Sequence, residues 1–176
     1  MRFFSWTLVV LGRAELVAAS LLVLAMICAV SVEVYYRYVL GSSLYWVEEG
    51  ATIAFIWVTF LGAALASKAN RHITITSLGG IFRAGRSRAL WALGGQGAIV
   101  VVAAVIAYHS FGYTTLQART ATVSLPVNIP RSWMFAWPLC LGMVSIALTH
   151  LYYFMDNVIS LFAPGVRPAP RPLLEI

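Results

Sequence analysis

Four long hydrophobic stretches follow one another along the chain, and most charged residues lie between them. The stretches occupy residues 14–36, 45–67, 89–112 and 132–155. Each is apolar on all sides of a helix rather than along one stripe, which is typical of helices surrounded by lipid or by other helices. About 20 apolar residues in a helix cross the hydrocarbon core of a bilayer. The pattern therefore predicts an all-α integral membrane protein with four transmembrane helices.

The composition supports the same class. Of the 176 residues, 61% are hydrophobic and 10% are charged, whereas a soluble domain carries about 25% charged residues. Intrinsic disorder is excluded, because disordered chains have low hydrophobicity. The net charge of +6 does not point to nucleic acid, since the basic residues lie mostly between the apolar stretches. The length leaves room for four or five spans, and we expect no separate soluble catalytic domain.

The distribution of basic residues predicts the orientation of the chain in the membrane. If both ends are cytoplasmic, nine of the twelve Lys and Arg residues lie inside and three lie outside, as the positive-inside rule requires. We therefore expect an N-in, C-in topology. The connector between helices two and three, residues 68–88, combines helically spaced apolar residues with arginines. It is predicted to form a short amphipathic cytoplasmic segment on the anionic inner surface.

These considerations divide the chain into three parts. Residues 1–13 are expected to form a cytoplasmic or interfacial segment, residues 14–162 the transmembrane domain, and residues 163–176 a proline-rich cytoplasmic tail. A cleaved secretory signal is the alternative for the N-terminus. Arg13 and Glu15 interrupt its apolar run, which favours an uncleaved helix. The third helix is expected to tilt or to end near Gly112.

Few polar residues in the spans could carry chemistry. His109 and His150 lie late in antiparallel helices and are therefore expected near opposite membrane faces. Bis-histidine ligation of a haem needs both imidazole rings at the same depth in the membrane. They are interpreted as interfacial polar residues. The acidic residues are all placed at helix ends, and mid-helix Thr59 and Gln96 are too few to line a pore. We expect no catalytic residue, metal site or cofactor, and no transport by this chain alone.

One cluster of polar residues stands at the outer end of the first helical hairpin. Glu33 and Arg37 are four residues apart and can pair on one helix face. Glu48 and Glu49 fall in the first turns of helix two, where negative charge is favoured, and Trp46 lies beside them. The cluster is either a membrane anchor with dipole compensation or a contact surface for another protein.

Small residues at Gly62 and Ala63 would allow close helix packing. Pro138 predicts a kink or a start of helix four.

Several short motifs together resemble one family. They are Arg37-Tyr38-Val39-Leu40, Trp46-Val47-Glu48-Glu49, Phe60-Leu61-Gly62-Ala63-Ala64 and His72-Ile73, followed by Ser124-Leu125 and Ile129-Pro130 before Trp133. In order and spacing they are similar to the small membrane subunit of TRAP (tripartite ATP-independent periplasmic) transporters, the DctQ-like family. The resemblance covers about residues 16–155. One departure is Thr76, where a related chain often carries Asp.

The resemblance implies a function and partners. A large membrane subunit would carry the substrate and sodium sites, and a periplasmic substrate-binding protein would deliver an organic acid. This chain would be the fixed scaffold of a sodium-driven secondary transporter in the bacterial inner membrane. The candidate partner-interface residues are Arg37, Trp46, Glu48, Glu49, Gly62, Ala63 and His72. The alternatives are a stand-alone four-helix accessory or sensor protein and, less favoured, a membrane redox subunit that binds haem or quinone.

Overall fold

The computed structural model is an all-helical bundle. It describes residues 2–69, 86–120, 130–162 and Leu173. Its elements in chain order are α1 (Arg2–Val39), α2 (Tyr45–Lys68), α3 (Arg86–Gln117), a 3₁₀ turn (Arg131–Trp133) and α4 (Ala136–Phe162). The predicted cytoplasmic connector with His72, the loop at residues 121–129 and most of the proline-rich tail lie outside the described residues.

Four of these helices are long and apolar enough to cross a membrane. The candidate spans are Phe4–Val39, Tyr45–Lys68, Leu93–Gln117 and Arg131–Ile159. The predicted all-α class is therefore confirmed for the described residues, and the four predicted helices have the length and composition that crossing a membrane requires.

Two helices extend further than the hydrophobic pattern predicts. Helix α1 begins at Arg2 and has 38 residues, so the residues placed before the first span belong to the same helix. At 1.5 Å per residue it is about 57 Å long, which exceeds a hydrocarbon core of about 30 Å. Helix α3 passes Gly112 and ends at Gln117, because one glycine inside a helix costs only about 1 kcal/mol. Helix α4 starts at Ala136, which confirms a start near Pro138.

The helices are arranged as two antiparallel pairs that are joined through α2 and α4. Helix α1 packs on α2, α3 packs on α4, and α2 also packs on α4. The centre of this junction is a cluster of Ala64, Ala103 and Ile146. A Cβ added to Gly142 would lie 3.0 Å from the Cβ of Phe60 and 3.2 Å from its carbonyl oxygen. The absence of a side chain at Gly142 therefore lets α2 and α4 approach closely.

Helix α1 is attached to the bundle along one narrow stripe. Among residues 4–39, the buried positions are Leu8, Gly12, Glu15 and Ala19, whose spacing of three and four follows one helix face. Most of the remaining surface of α1 is apolar and exposed. This helix therefore has a large face that no described part of the chain covers.

A tight turn joins α1 to α2. Gly41 has a φ of +66°, a left-handed conformation that glycine adopts without steric cost. The backbone N–H groups of Leu40 and Ser42 donate to the carbonyl oxygen of Tyr36 at 3.1 and 3.3 Å, which closes the C-terminus of α1. The short antiparallel hairpin that was predicted from the Gly41-Ser42-Ser43 segment is thus present.

Candidate functional site

The predicted ion pair between Glu33 and Arg37, near the turn that joins α1 to α2, is present. Arg37 Nη1 lies 3.7 Å from Glu33 Oε1, and the side chains are 59% and 15% exposed. Ser43 Oγ, in the turn, donates to the same Glu33 oxygen at 3.4 Å. The pair thereby connects the last turns of α1 to the turn. Because the guanidinium group is largely exposed, this pair contributes only about 0–1 kcal/mol to stability.

The other candidate residues, Trp46, Glu48 and Glu49, lie in the first two turns of α2 and differ in their surroundings. Val47 of α2 is buried, whereas Trp46 and Glu48 on either side of it are exposed and Glu49 is half-buried. Glu48 and Arg37 both line one groove, and neither Trp46 nor Glu49 lines that groove. The structure therefore assigns Arg37 and Glu48 to the groove and leaves the other two candidates outside it.

The groove lies between the C-terminal half of α1 and the N-terminal half of α2 and has a volume of about 470 Å³. Its lining residues are Met26, Val30, Glu33, Arg37, Val47, Glu48, Ala51, Thr52 and Phe55. The charged members lie near the helix ends that meet at the turn. Met26 lies seven residues before Glu33 on α1, and Phe55 lies seven residues after Glu48 on α2. Both are therefore about 10 Å away from the charged residues along the helix axes. The groove is thus polar at the rim and apolar at depth.

Gly62 and Ala63 have different environments. Nothing lies within 4 Å of a Cβ added to Gly62, whereas Ala63 packs against the core cluster around Ala64. Gly62 is the last member of an exposed row on α2, which we call the α2 stripe: Tyr45, Glu48, Thr52, Phe55, Thr59 and Gly62. The hydroxyl groups of Thr52 and Thr59 donate to carbonyl oxygens of their own helix at 2.9 and 2.8 Å. The C-terminal half of the α2 stripe therefore consists of the exposed small residues Thr59 and Gly62.

An ion pair inside the bundle was missed by the sequence analysis. Lys68 Nζ donates to Glu15 Oε2 at 2.7 Å and to Ser145 Oγ at 2.5 Å, and Ser145 Oγ donates to Glu15 Oε1 at 2.6 Å. The Lys68 side chain is 0% exposed and that of Glu15 is 8% exposed. We call these three residues the buried ion-pair network. It connects α1, α2 and α4 in one closed triangle of hydrogen bonds.

The C-terminus of α2 is held by further contacts at the same place. The hydroxyl group of Tyr153 donates to the carbonyl oxygen of Lys68 at 3.0 Å. The backbone N–H of Leu173, in the tail, donates to the same carbonyl oxygen at 3.1 Å. Carbonyl groups at a helix end lack partners within the helix, so these two donors satisfy one that would otherwise be buried and unbonded. A lysine at this end is also favoured by the helix dipole.

The buried network corrects the interpretation of Glu15 and Lys68. Glu15 was placed at a helix end and Lys68 in the cytoplasmic connector, because both border charge-free stretches. In the structure α1 begins at Arg2, so Glu15 lies almost four turns inside a helix. A sequence signal for this was available, since an acidic residue inside an apolar helix usually has a buried partner. The identity of that partner depended on the tertiary structure.

The position of His150 at the membrane interface stays a prediction. Its side chain is buried, and its Nδ1 lies 2.5 Å from Gln96 Oε1 on α3. His150 and Gln96 therefore connect α3 to α4 inside the bundle. His109 is exposed on α3. No group of three or more His, Cys, Asp or Glu side chains in the described part of the chain could hold a metal ion.

These features together define a multi-pass helical membrane protein in which buried polar side chains join one helix to the next. The family model described as "Tripartite ATP-independent periplasmic transporters, DctQ component" matches residues 26–159, which is most of the chain. The chain belongs to this family and is a component of a TRAP transporter, as the motifs around Arg37, Trp46 and Phe60 suggested. A comparison with curated proteins gave no match.

Proposed function

We propose that this chain is the small scaffold subunit of a sodium-coupled secondary transporter for organic acids. It acts together with a large membrane subunit that carries the transport pathway and with a periplasmic substrate-binding protein. The observation that carries this proposal is the match of residues 26–159 to the DctQ component of TRAP transporters. Both chain ends face the cytoplasm of a bacterial inner membrane in this proposal, which the excess of basic residues on that side supports.

The way in which the bundle uses its polar residues supports a scaffold role. Glu15, Lys68 and Ser145 bond to one another, and His150 contacts Gln96. These contacts join helices within the chain, and so they favour a static body. A subunit that keeps its shape while a neighbouring subunit moves needs such fixed helix-to-helix contacts.

The candidate contact with the large subunit is the C-terminal half of the α2 stripe, together with the rim. Without a hydrophobic driving force between helices in lipid, small residues and close approach stabilise helix contacts. Thr59 and Gly62 offer this surface, and Ala63 backs it from within the chain. At the rim, Trp46 is exposed and supplies an aromatic contact, and Glu49 is the acidic residue proposed with it. His72 is proposed for the same interface from its position in the family motif.

Reconstitution tests the proposal. The chain is inserted into liposomes alone, with a co-expressed large subunit, and with both the large subunit and the binding protein. Uptake of a labelled organic acid should depend on a sodium gradient and should require all three proteins. Uptake by the chain alone would refute the scaffold role. Purification without any large subunit would support the stand-alone accessory protein, and a haem or quinone spectrum would support the redox subunit.

A further inference from the structure

The groove between α1 and α2 has the polarity profile of a membrane lipid. Glu33, Arg37 and Glu48 stand at its rim, at the helix ends where the proposed topology places the outer membrane surface. Met26 and Phe55 stand about 10 Å deeper along the helices. A phospholipid has the same order of groups, with a charged headgroup above an apolar acyl chain.

The charges at the rim are available to a ligand. The carboxylate of Glu48 is exposed and has no hydrogen bond or ion pair within the described residues. The guanidinium of Arg37 is 59% exposed, and its contact with Glu33 is long, at 3.7 Å. Glu33 in contrast is mostly buried and also accepts from Ser43. One free carboxylate and one largely free guanidinium therefore face the same opening.

The size of the groove suits an acyl chain. The groove holds about 470 Å³, which is within the usual range of ligand pockets. An acyl chain can lie along its whole apolar depth.

We propose that this groove binds a zwitterionic phospholipid with a primary ammonium headgroup, a class represented by phosphatidylethanolamine. Its phosphate accepts from Arg37, its ammonium group donates to Glu48, and one acyl chain lies along Met26, Ala51 and Phe55. This assignment goes beyond the proposed transport function. It places an ordered lipid on the part of the α2 stripe that lines the groove, next to the surface that is proposed for the large subunit.

The charge balance of the rim selects this headgroup over others. Two carboxylates and one guanidinium give the rim a net negative charge, which disfavours an anionic headgroup such as phosphatidylglycerol. A quaternary ammonium group, as in phosphatidylcholine, has no N–H and cannot donate to Glu48. A primary ammonium group carries three donors, and its hydrogen bond to a carboxylate is charge-assisted.

The test measures which lipids the isolated chain retains. The chain is reconstituted in nanodiscs with equal amounts of phosphatidylethanolamine, phosphatidylcholine and phosphatidylglycerol, extracted in mild detergent, and examined by native mass spectrometry. Retention of phosphatidylethanolamine should exceed that of the other two lipids roughly tenfold, as one charge-assisted hydrogen bond would provide. No partner protein is needed, so the outcome does not depend on the proposed transport function.

Three variants assign the retained lipid to the groove. Glu48→Ala should remove the preference for phosphatidylethanolamine over phosphatidylcholine, and Arg37→Ala should lower the retention of both. Ala51→Phe should fill the groove and abolish retention. The matched controls are Glu49→Ala, which removes an acidic residue from the same helix outside the groove, and Arg13→Ala, an exposed arginine of α1. Both controls should retain the lipid as the original chain does, with unchanged helicity.

Three results would overturn the proposal. The first is equal retention of the three lipids by the original chain, and the second is retention that Ala51→Phe leaves unchanged. The third uses Ala51→Cys in a chain without Cys28 and Cys140. If the isolated chain holds no lipid and this cysteine is protected from labelling only when a large subunit is bound, the occupant is protein side chains.

Discussion

Removal of one charge from the buried ion-pair network should destabilise the chain strongly. In Lys68→Met the ammonium group is lost, and Glu15 remains inside the bundle with only Ser145 as a donor. An uncompensated buried charge costs about 3–5 kcal/mol. Ser145→Ala keeps the direct pair at 2.7 Å and removes only the two hydrogen bonds of the hydroxyl group, so its cost should be about 1–3 kcal/mol.

The decisive comparison replaces both charged residues. Glu15→Leu combined with Lys68→Met leaves no unpaired charge, and apolar replacement of a buried ion pair is often neutral or stabilising. The double variant should therefore be more stable than Lys68→Met alone, by about 2 kcal/mol or more. Helix α1 would remain on the bundle through the packing of Ala19 against Leu65.

The assay is reversible unfolding by SDS from mild detergent micelles, followed by circular dichroism. Arg13→Met is the matched control, because Arg13 is an exposed cation two residues from Glu15, and it should change the free energy of unfolding by less than about 0.5 kcal/mol. A loss below about 1 kcal/mol in Lys68→Met, or losses that simply add in the double variant, would refute the reasoning.

Three further predictions concern packing, topology and the rim. Gly142→Ala should lower the free energy of unfolding by about 1–3 kcal/mol, because its Cβ would meet Phe60 at 3.0 Å. Gly62→Ala should leave the isolated chain as stable or more stable and weaken copurification of the large subunit. If Gly62→Ala destabilised the isolated chain more than Gly142→Ala, the result would contradict the packing. A cysteine at Ser43 should react with an impermeant label from outside, and one at Arg86 only from inside; outside labelling at Arg86 would exclude the proposed topology. Glu49→Ala should lower uptake by the assembled transporter while insertion stays normal and Glu49→Asp retains activity; full uptake in Glu49→Ala would leave only an anchoring role.

The rim residues show how much of a candidate site local sequence can reveal. The pairing of Glu33 with Arg37 follows from a spacing of four in one helix, and the hairpin follows from a short segment with a glycine. Both depend on residues that are close in the chain. The division of the rim into groove residues and others could not be predicted, because it depends on how α1 and α2 rotate about their axes.

The sequence by itself determined the class of the protein, the four apolar helices and the family, because span length and motif order are properties of the linear chain. Only the tertiary structure decided which helix faces are buried. The spans are apolar all round, so no amphipathic stripe marks the side that packs against a neighbour. Glu15 is separated from Lys68 by 53 residues and from Ser145 by 130. Their contact exists because α1, α2 and α4 meet at one place, and no local pattern encodes that meeting.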